Sequence, residues 1–106
     1  MYIYNVTSNV DDSIHDEWLK WMQTVHIPQV LACNTFYEAK LTKVLVEEDM
    51  GGQTYSVQYR AKTREDLNRY YTNFAETLKA ETLKKFADRV LSFRTELEVV
   101  DIYTTK

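Results

Sequence analysis

The sequence predicts an α+β fold, because stretches with the two-residue period of a strand alternate with stretches that have the 3.6-residue period of a helix. The order is strand, helix, strand, turn, strand, helix, strand. Both glycines of the chain stand together in that turn, at Gly51 and Gly52. Two βαβ-like halves joined by a hairpin give a four-stranded antiparallel sheet with both helices on one face. This is the ferredoxin-like βαββαβ fold, and we expect a single domain over residues 1–106.

The first strand is predicted at residues 2–10, where large apolar and polar side chains alternate as in a strand with one buried face. One face carries Tyr2, Tyr4, Val6 and Val10. Asp11-Asp12-Ser13 then supplies side-chain oxygens that can cap a helix. That helix has the apolar stripe Ile14, Trp18, Trp21, Met22 and Val25. Because Pro28 disrupts helical hydrogen bonding, we expect a kink or an end near His26 and a short helical piece at Pro28–Ala32.

The second and third strands are predicted on either side of the glycine turn at residues 48–52. Residues 36–47 form the second strand, in which Val44-Leu45-Val46 breaks the alternation. This break indicates either a bulge near Thr42 and Lys43 or a region covered on both faces. In the third strand one face carries Tyr55, Val57 and Tyr59, and the other carries Thr54, Ser56, Gln58 and Arg60.

The second helix is predicted to begin at a capping pair, Thr63 and Asp66, and to extend to about Asp88. Its apolar stripe consists of Leu67, Tyr71, Phe74, Leu78, Leu83 and Phe86. The last strand covers residues 90–100. We assign its apolar set to the face under the helices, and this set is Leu91, Phe93, Leu97 and Val99. Its charged set, Arg94, Glu96 and Glu98, is then expected on the opposite face.

The sheet face away from the helices is predicted to be polar without being uniformly charged. Arg and Glu side chains on such a face can pair with one another across a two-fold axis, so we expect a second copy of the chain to cover it. The alternative is a face exposed to water. The candidate dimer residues are Asn5, Thr7, Ser56, Gln58, Arg94 and Glu96.

Composition and motifs argue against several classes of function. A net charge of −3 with interleaved acids and bases disfavours nucleic acid. RNA-recognition modules share this element order, but they place stacking aromatics on the third strand, where this chain has Thr54 and Ser56. A single cysteine, Cys33, excludes an intrachain disulfide and fits a reducing compartment. With no signal peptide and no apolar run near ~20 residues, we expect a cytoplasmic protein without a membrane span.

Metal, cofactor and covalent chemistry have little support in the sequence. His15 and His26 would lie about 16 Å apart along a helix, too far to share an ion, so we expect no metal. No glycine-rich phosphate loop is present, and we expect no cofactor. Cys33 could act as a nucleophile only with a positioned base, for which His26 is the nearest candidate. We favour the alternative, an unreactive thiol.

The segment from Trp18 to Pro28 is the most distinctive local feature. Buried tyrosine hydroxyls and indole N–H groups need polar partners, so aromatic side chains between helix and sheet could line a small-molecule pocket. His26 would then lie at its mouth and act as an acid or a base. The alternative is that these side chains form the core. The candidate pocket residues are Tyr4, Trp18, Trp21, His26, Tyr59 and Tyr71.

The sequence also resembles a bacterial family described as a domain of unknown function, and the resemblance covers nearly the whole chain. It rests on the segments 3–7, 18–22, 26–28, 50–59 and 93–97. That family is grouped with the dimeric α+β barrel superfamily, in which two ferredoxin-like sheets pack face to face. The resemblance implies a homodimer and brings no established activity.

Some members of that superfamily are enzymes, including cofactor-free monooxygenases and haem-degrading oxygenases. The haem-degrading group uses an Asn on the first strand, a Trp on the third strand and a His on the second helix. Asn5 matches the first of these, but both Trp and both His of this chain lie in or beside the first helix. We therefore expect a small homodimeric binding or interaction module. The alternative is a small-molecule enzyme of the oxygenase or isomerase type that uses the helix–sheet pocket.

Overall fold

The structure is a computed structural model, and it describes residues 1–46 and 51–106. The strands are β1 (Tyr2–Val10), β2 (Glu38–Lys43), β3 (Gln53–Ala61) and β4 (Val90–Glu98). The helices are α1 (His15–Trp21), α2 (Ile27–Ala32), α3 (Arg64–Asn73) and α4 (Ala75–Phe86). Short 3₁₀ turns cover Asp12–Ile14 and Ala87–Arg89. All four strands pair antiparallel in the order β2-β3-β1-β4, which confirms the predicted ferredoxin-like fold.

The predicted kink near His26 is a π-helical turn, Met22–His26, that joins α1 to α2. The Ile27 N–H bonds to the Met22 carbonyl oxygen, five residues earlier, instead of the usual four. Pro28 has no N–H, and its ring would crowd the carbonyl four residues before it in a regular helix. The wider turn relieves this conflict, so the chain stays helical through the proline. Such turns are frequent at functional sites, and His26 is the last residue of this one.

The second predicted helix is divided into two, because Phe74 leaves helical geometry between α3 and α4. Its predicted start is confirmed: the Thr63 hydroxyl oxygen accepts from the Asp66 N–H at 3.1 Å. α3 packs against β1 and β3 and contributes Leu67 and Tyr70 to the core. The helical layer is therefore centred on the inner strands of the sheet, and β4 lies at its margin.

The hairpin between β2 and β3 differs from prediction on one side. β2 pairs with β3 in continuous register and ends at Lys43, so the broken alternation at residues 44–46 marks the end of the strand rather than a bulge. Residue 47 of the predicted second strand and residues 48–50 of the predicted turn lie outside the described residues. Gly51 and Gly52 have φ values of +81° and +78°, the left-handed geometry expected of the turn glycines.

β4 presents its two sets of side chains to the faces opposite to those predicted. Residues directly across an antiparallel pair share a face, and Glu96 is paired with Tyr4, which the helices bury. Arg94 is likewise paired with Val6. The prediction that Arg94 and Glu96 lie on the dimer face is therefore wrong, as is the assignment of Phe93 and Leu97 to the helix side.

The physical reason for this correction is that the helices do not bury β4. All its residues after Val90 are exposed, so its helix side can carry charges. The apolar residues of β4 lie instead on the far side of the sheet, directly beside residues of β1. We call this side the open face. Its residues are Ile3, Asn5, Thr7 and Asn9 of β1, Glu38, Lys40 and Thr42 of β2, Thr54, Ser56, Gln58 and Arg60 of β3, and Leu91, Phe93, Thr95 and Leu97 of β4.

Candidate functional site

A cleft of about 250 Å³ lies beside the helix-facing side of β4. Its lining residues are Tyr4, Tyr71, Lys79, Arg94, Thr95 and Glu96. They come from β1, α3, α4 and β4, so the cleft forms only when both halves of the chain have folded together. A concave site in which a few polar groups converge on an aromatic wall is typical of small-molecule sites.

Tyr4 joins this cleft to the core. Its ring lies 5.5 Å from the ring of Tyr70 and 5.6 Å from that of Tyr71, and 6.0 Å from the ring of Phe36. Burial raises the pKa of the Tyr4 hydroxyl, whereas the charge of Arg94 and a hydrogen bond to it act in the opposite direction. The ring therefore belongs to the core while the hydroxyl meets the Arg94 guanidinium at the cleft.

The carboxylate of Glu96, which lines the cleft, already has a cationic partner. The Arg64 guanidinium donates to the Glu96 carboxylate in an ion pair. Burial, together with the charge of Glu96 and a hydrogen bond to it, raises the pKa of Tyr71. Tyr71 therefore remains a neutral phenol beside Glu96, and Arg64 is the partner that neutralises this carboxylate.

His26 is half-buried, and its ring is held by an aromatic contact. Its ring stacks on that of Trp21, with 4.9 Å between centroids, and Trp21 in turn packs edge-on against Phe86 at 5.3 Å. Burial, and secondarily the charge of Arg94, lowers the pKa of His26 to about 4. Its Nδ1 has no hydrogen-bond partner among the residues that the structure describes. His26 is thus a neutral imidazole near pH 7, within electrostatic reach of Arg94.

We expect this half-buried imidazole to make the folded protein sensitive to mild acid. The unfolded chain binds a proton at His26 below its ordinary pKa of 6.5, but the folded protein does so only below about 4. Between these values the unfolded state binds more protons, so stability falls as the pH falls. From pH 7 to pH 5 the free energy of unfolding should drop by about 2 kcal/mol more in the wild type than in His26→Gln. Urea denaturation at both pH values measures this difference, and equal drops would contradict a half-buried neutral His26.

The structure separates the six predicted pocket residues into three groups. Tyr4 and Tyr71 line the cleft, whereas Trp21 and His26 stack on each other and do not line it. Trp18 and Tyr59 are 1% and 2% exposed and lie in the hydrophobic core, where Trp18 packs against Tyr55. The core alternative weighed for these aromatics therefore describes Trp18 and Tyr59, and also the ring of Tyr4, which is 4% exposed.

Sequence reasoning missed the cationic side of the cleft, Arg94 and Lys79, and placed Glu96 on the wrong face. The sequence did contain a signal for Arg94 and Glu96, which was the alternating charged set of the last strand, Arg94, Glu96 and Glu98. Had β4 been recognised as an edge strand beyond the helical layer, that set would have been expected beside the helices. Lys79 carried no comparable signal, because an exposed helix lysine is ordinary.

A second cleft of about 300 Å³ is lined by Asn34, Thr35, Phe36, Tyr37, Lys62 and Asp66. The Thr35 hydroxyl is buried without a partner among the described residues. The charged side chains that line this second cleft already have partners. Asp66 pairs with Arg69 at 2.8 Å, and the Lys62 ammonium lies over the Tyr37 ring. We therefore regard the cleft beside β4, where cations are unpaired, as the better candidate.

Nucleophilic and metal chemistry have no assembled site among the described residues. Burial raises the pKa of the Cys33 thiol, which donates to the Gln29 carbonyl oxygen at 3.4 Å, so the reactive thiolate is disfavoured. In the same residues no group of three His, Cys, Asp or Glu side chains could hold a metal ion. None of the helices described is both long and apolar enough to cross a membrane.

The open face combines satisfied polar groups with exposed apolar ones. The Ser56 hydroxyl donates to Asn5 Oδ1 at 2.6 Å, and Asn5 Nδ2 donates to the Thr7 hydroxyl at 3.2 Å. Next to this network, Leu91 is 66% exposed, Phe93 is 64% exposed and Leu97 is 40% exposed. The predicted dimer residues Asn5, Thr7, Ser56 and Gln58 do lie on this face.

Comparison with known proteins agrees with this fold. A family model described as "Domain of unknown function (DUF4286)" matches residues 1–100. Two solved structures described as dimeric ferredoxin-like proteins, from uncultured marine organisms, have TM-scores of 0.70 and 0.68 at 12% and 18% identity. The first comparison covers 96% of this chain and 97% of the other, and the second covers 98% of each.

A third solved structure is a candidate antibiotic biosynthesis monooxygenase from Deinococcus radiodurans, with a TM-score of 0.61 at 11% identity. The likeness covers 100% of this chain and 99% of that one. At these identities the three structures show a shared fold and nothing further. No curated protein sequence matches this chain.

Proposed function

Because the chain belongs to the DUF4286 family of domains of unknown function, we propose a function from its geometry: a homodimeric binding module. Residues 1–106 act as a single domain. Two copies associate through their open faces, and the cleft beside β4 holds a small molecule in each copy. The cleft opens on the helix side of the sheet and the association surface lies on the other side. Of the cleft lining only Thr95 belongs to the open face, so the dimer leaves the cleft accessible.

The observation that carries the dimer is the apolar stripe on the open face. On the open face of β4, Leu91 and Phe93 are neighbours, Leu97 follows beyond Thr95, and Ile3 lies directly across from Leu97. A contiguous apolar patch beside polar residues marks an interaction surface in a soluble protein. A second copy is the best occupant, because a two-fold axis brings the same stripe to each side and buries it against itself.

Two further observations support self-association. The hydrogen bonds among Asn5, Thr7 and Ser56 already satisfy several polar groups on the open face, so covering them leaves few groups unpaired. Two of the solved structures with the same fold are described as dimeric. Light scattering and sedimentation equilibrium at micromolar concentration test the proposal. A dimer is expected, and a monomer at every concentration would refute it.

The alternative is a small-molecule enzyme of the oxygenase or isomerase type, and one observation favours it. His26 is neutral, with Nδ1 unpaired among the described residues, and a neutral imidazole can act as a general base. One structure with this fold is described as a candidate monooxygenase. Oxygen uptake in the presence of electron-rich phenols tests the oxygenase form. Uptake that His26→Gln abolishes would replace the binding module by an enzyme, whereas its absence would remove the oxygenase.

We also propose that the module is cytoplasmic and binds neither nucleic acid nor membranes. A net charge of −3 disfavours association with phosphate backbones. The strands that stack bases in RNA-recognition modules carry Asn5, Thr54 and Ser56 on the open face, none of which is aromatic. The Cys33 thiol is free, as is usual in a reducing compartment.

A further inference from the structure

The cleft beside β4 continues into a neighbouring one. A second concavity of about 340 Å³ is lined by Lys79, Thr82, Leu83, Ala87, Val90, Leu91, Ser92 and Arg94. Lys79 and Arg94 line both concavities, so these two cations lie at their junction. We call the combined feature the α4–β4 groove. It has one aromatic and polar end, near Tyr4 and Tyr71, and one aliphatic end, near Leu83 and Val90.

The junction of this groove carries uncompensated positive charge. Neither Arg94 nor Lys79 forms an ion pair within residues 1–46 and 51–106, although four other basic residues and His15 do. Glu96, the acid that lines the groove, is neutralised by Arg64. In a chain with a net charge of −3, two unpaired cations facing one groove favour an anion at that position.

Arg94 lies at the point of the groove where an anion would meet the aromatic end, because it lines both concavities. Its charge also acts on the Tyr4 hydroxyl and on His26, acting to lower the pKa of each. A guanidinium has five N–H donors in a planar fork, so Arg94 has donors for a carboxylate. Lys79 is exposed on α4 and can approach the same anion from the opposite wall.

The aliphatic end of the groove indicates what the rest of the ligand is like. Leu83 is 66% exposed on α4, and Ala87 and Val90 continue the apolar lining toward β4. An alkyl chain placed here would cover this surface, and each buried methylene contributes about 0.8 kcal/mol. We propose that the α4–β4 groove binds an amphipathic organic monoanion, with its carboxylate between Arg94 and Lys79 and its apolar part along Leu83 and Val90. This inference rests on the small-molecule part of the proposed function and specifies the class of ligand.

Calorimetric titration of the intact protein with sodium octanoate and with 1-octanol tests this assignment. Both probes have the same alkyl chain, but only octanoate has the charge. We expect saturable octanoate binding at one molecule per chain, and octanol binding at least tenfold weaker. Arg94→Gln should weaken octanoate at least tenfold, and Arg94→Lys should restore part of the affinity. The matched control is Lys85→Gln, because Lys85 is also on α4 but pairs with Glu17 outside the groove; its affinity should be unchanged.

The outcomes separate this inference from the proposal on which it rests. If both probes bind equally and Arg94→Gln changes neither, the cleft does bind small molecules but the preference for anions is wrong. If neither probe binds, both the inference and the small-molecule part of the proposed function are overturned. Light scattering on the same samples reports the dimer independently in every case. Circular dichroism of each variant separates lost binding from lost folding.

Discussion

Phe93→Glu is expected to convert the proposed dimer into a monomer at micromolar concentration. Phe93 is the largest apolar side chain exposed on the open face, and it lies opposite Thr7 near the middle of β4. Large aromatic residues of this kind contribute most of the energy of protein interfaces. The substitution removes that contribution from both copies and places two carboxylates in a surface that would otherwise be desolvated. We expect the dimer dissociation constant to rise at least 100-fold, which corresponds to about 3 kcal/mol.

The chain offers a matched control for this experiment. Leu83 is as exposed as the β4 residues, at 66%, but it lies on α4 and not on the open face. Leu83→Glu introduces the same charge and should leave the dimer intact. Sedimentation equilibrium of both variants over a concentration series gives the two dissociation constants. If Phe93→Glu dimerises as tightly as the wild type, the association surface is not the open face.

The stability of the separated protomer distinguishes an interface effect from a folding effect. Phe93 is 64% exposed in one chain, so its replacement should have little effect on the fold of that chain. Urea denaturation at a concentration where both proteins are monomeric should therefore give similar free energies of unfolding. At higher concentration the wild type should gain stability with protein concentration, because dimerisation favours the folded state.

Local patterns in the sequence predicted most of the fold. The alternation in β1 and β3 identified which side chains lie under the helices, and Thr63 with Asp66 marked the start of α3. These features depend only on neighbouring residues. Which β4 side chains lie on which face of the sheet depends on a non-local feature, namely whether the helices extend over this edge strand. The rule that apolar residues lie under the helices fails where no helix covers the strand, and Phe93 is the clearest case.

The site was less predictable than the fold for the same reason. Tyr4 and Tyr71 were expected at a pocket because buried phenols need polar partners, and both line the cleft. Their partners, Arg94 and Glu96, could not be assigned until the orientation of β4 was known. Pro28 predicted an irregularity where the π-helical turn lies. The spacing of apolar residues alone did not distinguish a widened turn from the end of a helix.

The corrected assignment of the β4 side chains to the two sheet faces changes the basis of the predicted dimer. Pairing between Arg94 and Glu96 across a two-fold axis was the expected source of complementarity, but both residues lie on the other side of the sheet. An apolar stripe containing Phe93 replaces them. Burial of apolar area is a stronger and less salt-dependent source of association than exposed ion pairs. We therefore expect the dimer to persist at high salt.

Trp18→Ala and Trp21→Ala should have different consequences, although both tryptophans belong to the helical stripe read from the sequence. Trp18 is 1% exposed and packs against Tyr55 with 5.2 Å between ring centroids. Removing it leaves a large cavity, so the free energy of unfolding should fall by about 3–5 kcal/mol. Trp21 is only half-buried, and its removal should lower the free energy of unfolding by about 1–2 kcal/mol.

The second consequence of Trp21→Ala concerns His26. The Trp21 ring covers the imidazole at 4.9 Å, and burial is the main cause of the lowered pKa of His26. Without that ring, water reaches the imidazole, and the pKa should rise from about 4 toward its ordinary value of 6.5. Urea denaturation at fixed protein concentration measures both stabilities, and an NMR titration of the His26 ring measures the pKa. If Trp21→Ala leaves that pKa near 4 while destabilising the protein as much as Trp18→Ala, then Trp21 belongs to the core and does not shield His26 from water.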